Sequence, residues 1–206
     1  MNDIRLVAKT ESIEPALDQS EDVYQDLSQF VVPQGFRGRP SWFVQLWWLT
    51  DALLFRPSPQ IMYGWRRGLL RLFGAEVGSG AIIRPSVRVT YPWKVSIGAH
   101  AWIGDDVTLY SLGAIEIGAH SVISQKSYLC AGDHDHLQAN FAIRSRKIQI
   151  GSQVWVASDV FVAPGVKIGD GAVVGARSTV IHDLPGAMIC IGNPARAIKR
   201  RIMRDA

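Results

Sequence analysis

Residues 150–180 read IGSQVWVASDVFVAPGVKIGDGAVVGARSTV, and this stretch is an internal repeat. An aliphatic residue returns at every sixth position, at Ile150, Val156, Val162, Ile168, Val174 and Val180. A period of six matches neither the 3.6-residue period of a helix nor the two-residue alternation of a lone strand. It is typical of short strands broken by turns, so that three flat faces close one turn of a triangular column in about eighteen residues. We therefore predict a mainly β fold, a parallel β-helix whose coils bury their inner faces against each other.

The same spacing extends the predicted column to residues 77–192. Aliphatic residues recur by sixes between Val77 and Leu129, in blocks that are shifted against each other by insertions of two residues. Over residues 131–147 the repeat stops, and it has resumed by Ile150. A loop that leaves a rigid column holds its polar side chains next to a fixed base, so we expect functional residues in this excursion.

The repeats, Gly132-Asp133-His134, and the segments 154–158 (VWVAS) and 164–169 (PGVKIG) together resemble the hexapeptide-repeat acyltransferases, especially the sugar O-acetyltransferases. The resemblance implies a left-handed β-helix, a homotrimer with active sites between subunits, and acetyl-CoA as acyl donor, with no metal. The handedness rests on the resemblance, because parallel crossovers are normally right-handed. Residues 54–59 and 65–75 resemble the colanic-acid-biosynthesis branch, which implies an exopolysaccharide precursor or a lipid-linked glycan as the sugar acceptor.

Composition and charge narrow the range of partners. The chain has 206 residues, of which 48% are hydrophobic and 19% charged, as in soluble globular proteins. No compact basic-aromatic motif accompanies the net charge of +4, so nucleic acid is not expected, whereas phosphate-bearing cofactors or anionic lipids would suit this charge. The two cysteines are far apart and no secretory leader opens the chain, so we expect a cytoplasmic protein with reduced thiols, either free or peripheral at the inner face of the membrane.

The remaining segments flank the column. We expect an acidic N-terminal arm over residues 1–30, a helical aromatic-rich cap over 31–76 and a short basic C-terminal helix over 193–206. Two interpretations of the cap remain open. Its aromatic side chains close the open end of the column, as repeat arrays require, or residues 41–73 also rest peripherally on a membrane surface through tryptophans and arginines.

Within the cap, Ser41 precedes an apolar run of about 14 residues, which is too short to span a bilayer as a helix. A second helix is predicted to begin at Ser58, with a proline in its first turn. At the other end of the chain, Asn193 can cap a helix and Pro194 can occupy its first turn, and four arginines and a lysine follow.

Transfer of an acetyl group to a hydroxyl requires a base for the hydroxyl proton and donors for the oxyanion. Histidine suits the first task, since its ordinary pKa is about 6.5. The resemblance places His134 as the general base, with His136 as a reserve candidate. Asp133 and Asp135 flank it and are candidates to hold its ring or to bind substrate, although adjacent side chains often point apart.

The resemblance also assigns roles around this base. It places Trp155 beside the acceptor and gives Ser158 a hydrogen bond to the developing oxyanion, although Ser158 is also an ordinary corner residue. For the donor it marks five residues: Ala176 by its backbone, Ile181 and His182 near adenine, and Arg196 and Lys199 at phosphate, to which cations are attracted. Leu112 stands at a corner where related galactoside and maltose acetyltransferases have an acidic residue, which leaves the acceptor open.

Two other functions use the same column. A zinc enzyme resembling the left-handed β-helix carbonic anhydrases would take His134 and His136 with His100 or His120 as ligands. A non-catalytic scaffold would present the excursion or the cap to a partner. Acetyl-CoA raises the melting temperature only if the chain binds it, which separates the scaffold from the transferase.

Overall fold

The computed structural model describes residues 23–203 and shows five complete coils of parallel strands, followed by a terminal hairpin. Each coil contributes one strand to each of three sheets. The first three coils contain β1 Glu76–Val77, β2 Ile82–Ile83 and β3 Arg88–Val89, then β4 Val95–Ile97, β5 Trp102–Ile103 and β6 Thr108–Tyr110, then β7 Ile115–Ile117, β8 Val122–Ile123 and β9 Tyr128–Cys130.

The excursion between the third and fourth coils carries an antiparallel pair, β10 Gly132–His134 and β11 Ile143–Ser145. The last strands are β12 Ile148–Ile150, β13 Trp155–Val156, β14 Phe161–Val162, β15 Lys167–Ile168, β16 Val173–Val174, β17 Thr179–Val180, β18 Met188–Gly192 and β19 Ala195–Arg200. The first, second and third strands of the coils form sheets A, B and C respectively, and β18 and β19 extend sheet B. The predicted left-handed parallel β-helix is confirmed.

Inward side chains stack along the axis of the column because paired strands are in register. On sheet B the inner residues are all fully buried, namely Ile83, Ile103, Ile123, Val156, Val174 and Cys190. The six-residue repeat therefore forms one continuous apolar core, which the hydrophobic effect stabilises coil by coil.

The turns between sheets explain why the repeat has small residues and residues with positive φ values. At the edge between sheets A and B, a Cβ built on Gly118 would lie 2.5 Å from backbone atoms of the next coil, so only glycine fits there. Two residues after Gly118, His120 has a φ of 57°, and Lys126 has a φ of 63° at the edge between sheets B and C. These positive φ values turn the chain from one face to the next.

The cap contains α1 Ser41–Thr50, a π-helix Asp51–Phe55 and α2 Tyr63–Leu72. Short 3-10 helices, Leu27–Gln29 and Pro92–Lys94, lie before the cap and within the second coil. The second helix begins at Tyr63 rather than at Ser58. Ser58 lies in a turn, and its hydroxyl donates a hydrogen bond to the Phe55 carbonyl oxygen at 2.5 Å.

The cap also satisfies the open backbone edge of the column. Strand amides of each coil donate hydrogen bonds to carbonyl oxygens of the following coil. No coil precedes the first one in the column, so carbonyl oxygens of the first coil need donors from elsewhere. Cap side chains donate to them instead: Arg71 to Val77, Arg67 to Ala81, Arg66 to Ile83 and Trp47 to Val89, at 2.5 to 2.9 Å. Trp47, Phe55 and Leu70 continue the apolar core above this edge. These bonds and contacts cover the end of the column at its first coil.

The predicted C-terminal helix over 193–206 is wrong for the residues described. The chain turns at a cis Asn193-Pro194 bond, and β19 returns antiparallel to β18. Asn-Pro is a signal for a turn as well as for a helix start, and β18 offers an unpaired strand edge that β19 completes. Ala195 is buried there, while the other residues of β19 are exposed. Arg196, Lys199 and Arg200 thus lie on an edge strand.

The predicted acidic arm lies mostly outside the described residues. Its last part, residues 23–30, is described and reaches the excursion, since the Asp26 amide donates to the Ala139 carbonyl oxygen at 2.7 Å. Among residues 23–203, no helix has the length and apolar character needed to cross a membrane.

Candidate active site

The excursion is an ordered hairpin at the edge between sheets C and A. Gly132, Asp133 and His134 pair with Ser145, Arg144 and Ile143 on the opposite strand. Asp133 joins the two strands through side chains: Arg144 Nε lies 3.0 Å from its Oδ1, and Arg146 Nη2 lies 2.7 Å from its Oδ2. This pair of arginines fixes the strand that ends in His134.

Two aromatic rings and one hydrogen bond hold the ring of His134. Phe141 stacks on it with ring centroids 4.1 Å apart and planes 8° apart, and Phe30 approaches with a centroid distance of 5.8 Å. His134 Nδ1 lies 2.8 Å from the Phe141 carbonyl oxygen. Because a carbonyl only accepts, Nδ1 carries the hydrogen in this bond and a neutral ring presents its lone pair at Nε2. That tautomer can accept a proton.

The two aspartates beside His134 are engaged by the hairpin itself. Burial alone would raise the pKa of the Asp133 carboxyl, but hydrogen bonds from Arg144 and Arg146 outweigh it and leave that pKa below its ordinary value. Asp135 accepts from the Leu137 amide at 3.1 Å and from Gln138 at 2.9 Å, and the backbone bond lowers its pKa. The Phe141 carbonyl thus takes the place next to Nδ1 that was expected for an aspartate.

Trp155 and Ser158 stand elsewhere on the column. Trp155 projects from sheet B, is 48% exposed, and donates from Nε1 to Ser124 Oγ at 3.0 Å. Ser158 lies in the turn from sheet B to sheet C, whereas His134 follows sheet C. The full width of sheet C therefore separates Ser158 from His134 within one chain. A site that uses both residues requires a second subunit.

Comparison with known proteins decides the family. A model described as bacterial transferase hexapeptide (six repeats) matches residues 147–182. WcaF of Escherichia coli K12 is provisionally named a colanic acid biosynthesis acetyltransferase. It is 60% identical to this chain over 178 residues, which is 86% of this chain and 98% of WcaF. The chain belongs to the hexapeptide-repeat acyltransferases.

Other members of the family agree at greater distance. Galactoside O-acetyltransferase of Escherichia coli K12 is 32% identical over 143 residues, 68% of this chain and 70% of that protein. The solved structure of a galactoside acetyltransferase in complex with coenzyme A superposes with a TM-score of 0.72 at 28% identity, covering 82% of this chain and 84% of the other. The chain is thus an acyltransferase, and its identity to WcaF places it in the colanic acid biosynthesis branch.

The donor residues marked by the family resemblance do not all lie at one edge of the column. Ala176 lies at the edge between sheets B and C, one coil beyond Ser158, whose carbonyl oxygen accepts from the Arg177 amide at 3.0 Å. Arg196 is at the start of β19, near the same edge, opposite Ile191. Ile181 and His182 follow β17 at the edge between sheets C and A, and Lys199 lies at the far end of β19. Ser158, Ala176 and Arg196 therefore mark one line along a single chain.

Some side chains near the site had no assigned role. An aromatic stack of Tyr110, Tyr128 and Phe161 covers the outer face of sheet C, with successive ring centroids 6.0 Å apart. Burial raises the pKa of the Tyr128 phenol to about 12. The repeat alone did not predict the contact of Tyr110 with Tyr128, because the register pairs Tyr128 with Thr108 and Tyr110 with Cys130. Phe30 and Phe141 had no signal in the sequence either, because their contacts depend on how the excursion folds.

The histidines considered for zinc are not gathered in one place. His100 and His120 stack on each other at the edge between sheets A and B, with centroids 5.2 Å apart, while His134 is at another edge. Within residues 23–203 no three His, Cys, Asp or Glu side chains form a group suited to a metal ion. This arrangement in one chain gives no support to the zinc alternative.

Proposed function

We propose that the protein transfers the acetyl group of acetyl-CoA to a hydroxyl of a saccharide, an exopolysaccharide precursor or a lipid-linked glycan. The observation that carries the proposal is the state of His134, whose Nδ1 is bound to a carbonyl and whose Nε2 is left to accept a proton. Identity of 60% to a colanic acid biosynthesis acetyltransferase supports the saccharide acceptor. The superposed galactoside acetyltransferase holds coenzyme A, which supports the donor.

His134 acts as the general base. Its Nε2 removes the proton from the acceptor hydroxyl as that oxygen forms its bond to the thioester carbonyl carbon, and the imidazolium that results is stabilised by the Nδ1–H bond to Phe141. Ser158 donates a hydrogen bond to the oxyanion, and the proton held by His134 passes to the thiolate when the carbon–sulfur bond breaks. The donor supplies the activated acyl group, and the chain orients both reactants.

The active unit is a homotrimer. His134 and Ser158 lie on opposite sides of sheet C, so two chains must meet to form one site. The outer face of sheet B is apolar, and it includes Trp102 at 53% and Trp155 at 48% exposure in the single chain. Contact between subunits through such a face removes apolar area from water and brings Trp155 and Ser158 of one chain toward His134 of another.

The test is thiol release from acetyl-CoA with a panel of mono- and disaccharides, using His134→Ala and the matched variant His136→Ala. His136 is exposed two residues further along the same excursion. We expect His134→Ala to lower kcat on the order of a hundred- to ten-thousand-fold and His136→Ala to stay near wild type. Near-native turnover of His134→Ala, or an equal loss in both variants, would remove His134 from this role. Stabilisation by acetyl-CoA in a melting experiment separates this function from a scaffold.

A further inference from the structure

The first helix of the cap is apolar on its outer side as well as on its inner side. Val44, Trp47 and Phe55 point into the core and are fully buried. The outer cap face consists of large apolar side chains of α1 and the π-helix that are 44 to 66% exposed, namely Trp42, Leu46, Trp48, Leu49, Leu53 and Leu54. A helix that is apolar all round is buried against something, and an exposed apolar patch of this kind marks an interaction surface.

Charge around the outer cap face favours an anionic partner. Residues 31–76 contain six arginines and two acidic residues. One of those acids, Asp51, is paired with Arg56 at 2.8 Å. Arg66, Arg67 and Arg71 bond backbone carbonyls, which satisfy their hydrogen-bond donors and leave their positive charge uncompensated. The segment therefore combines an apolar face with a net positive charge, as interfacial helices do.

The aromatic residues of the cap suit an interface with lipid headgroups. Trp42 and Trp48 belong to the outer cap face, and Trp65 of α2 stands beside it, with its Nε1 donating to the Leu54 carbonyl oxygen at 2.9 Å. All three indoles are at least 42% exposed. Tryptophan is enriched at the boundary between lipid headgroups and hydrocarbon, where an amphipathic ring is stable. A protein surface of comparable area would account for the apolar groups but has no need of the net positive charge of residues 31–76.

The outer cap face is close to the excursion that carries His134. Val44 of α1 packs in one cluster with Tyr91 and Leu112, and Ile143 of β11 packs against that cluster. The excursion leaves the third coil, and neighbouring coils are about 4.8 Å apart, so only about 10 Å of column separates the first coil from it. A surface that binds the cap therefore lies within reach of an acceptor held at His134.

We propose that the outer cap face docks on anionic membrane lipid and that the protein acts on a saccharide presented at that surface. The apolar side chains enter the headgroup region, and the net positive charge of the cap attracts the anionic surface. The docking step stands on the cap alone. The statement about the acceptor rests on the proposed transferase function, since it assigns the lipid-linked class of glycan to the same site.

The experiment is co-sedimentation of the full chain with vesicles of phosphatidylcholine, with and without phosphatidylglycerol. The test variant is Leu49→Gln/Leu53→Gln, and the matched control is Ile202→Gln/Met203→Gln, whose side chains are 84% and 73% exposed beyond β19. We expect wild type and control to bind the anionic vesicles and the test variant to bind about tenfold or more weakly, as loss of two apolar contacts predicts. All three proteins should melt alike and acetylate a soluble sugar at rates within about twofold of each other, since only exposed side chains change.

Three results would overturn the docking proposal: no binding of wild type to either vesicle, unchanged binding of the test variant, or a change in oligomeric mass in the test variant. The last result would mean that a second copy of the chain covers this face. Failure of the transferase function is seen separately, because vesicle binding needs no turnover. Intact acetyl transfer without vesicle binding refutes only the docking surface, and vesicle binding without any transfer refutes only the enzyme.

Discussion

Sheets A and B have nearly the same inner surface and opposite outer surfaces. The outward positions of sheet A carry Glu76, Ser96, Glu116, Gln149 and Lys167, and those of sheet B carry Ile82, Trp102, Val122, Trp155, Val173 and Ile189. Successive side chains of a strand point to opposite faces, so strands with the same inward residues can carry different outward residues. The inner residues specify the column, and the outer residues decide which faces meet water, another subunit or a substrate.

Truncation of inward side chains is expected to have the largest effect on stability, and the effect should be similar on sheets A and B. Ile117 on sheet A and Ile123 on sheet B belong to the same coil and are at most 2% exposed. Ile117→Ala and Ile123→Ala should each lower the free energy of unfolding by about 2–5 kcal/mol through lost burial and a cavity, and by similar amounts. Urea denaturation measures this, with Ser96→Ala on the outer side of sheet A as the control. A marked difference between the two isoleucines would break the equality.

The difference between the outer surfaces predicts an effect on assembly. Trp102→Lys places a charge on sheet B, where the proposed interface excludes water, and Ser96→Lys places the same charge on sheet A between two glutamates. We expect the first variant to weaken trimerisation on the order of a hundredfold, because aromatic anchors dominate interfaces, and the second to leave it unchanged. Light scattering across a dilution series distinguishes them. Equal behaviour of the two variants would show that sheet B does not face a neighbouring subunit.

Sheet A and the excursion both carry ion pairs, but those of the excursion act together. Asp133→Asn removes the carboxylate that joins Arg144 and Arg146, and we expect kcat to fall about tenfold as His134 loses its fixed position. The KM for acetyl-CoA should change little, because the Asp133 carboxylate bonds Arg144 and Arg146 rather than any residue marked for the donor. An unchanged kcat would show that the Phe141 contacts hold the ring without this network. Rescue in Asp133→Glu would favour positioning over direct contact with substrate.

The same network has a defined dependence on pH. The folded-state pKa of Asp133 lies below its ordinary value, so its ionised form stabilises the hairpin. That contribution is fully present above the ordinary aspartate pKa, about 4, and is lost as the pH falls through the lower folded value. Protection factors for amide exchange across residues 132–145, which correct for the slower intrinsic exchange in acid, should therefore fall on acidification in wild type. In Asp133→Asn these protection factors should be low already and change less with pH.

The sequence predicted the column and the place of its interruption but not how the interruption folds. The six-residue period predicts which side chains point inward, because the inner position of every coil is buried in the same way. The contacts of His134 with Phe30 and Phe141 come from one loop and one N-terminal segment, and nothing in their spacing repeats. The error at Asn193-Pro194 has a similar origin, since local signals for a helix start and a turn coincide there. The free edge of β18, a tertiary feature, decides between them.

The smallest effect is expected on the outer surface of sheet A. Lys147 Nζ lies 2.6 Å from Glu116 Oε1, and both side chains are about 45% exposed. Water screens such a pair, so Glu116→Gln should change the free energy of unfolding by less than about 1 kcal/mol even though its hydrogen bond from Lys147 lowers the pKa of Glu116. Urea denaturation at low and high salt measures the change, which salt should reduce further. A larger loss that persists in salt would mean that this face is covered in the assembly, and the contrast between sheets A and B would then be one of chemistry rather than of exposure.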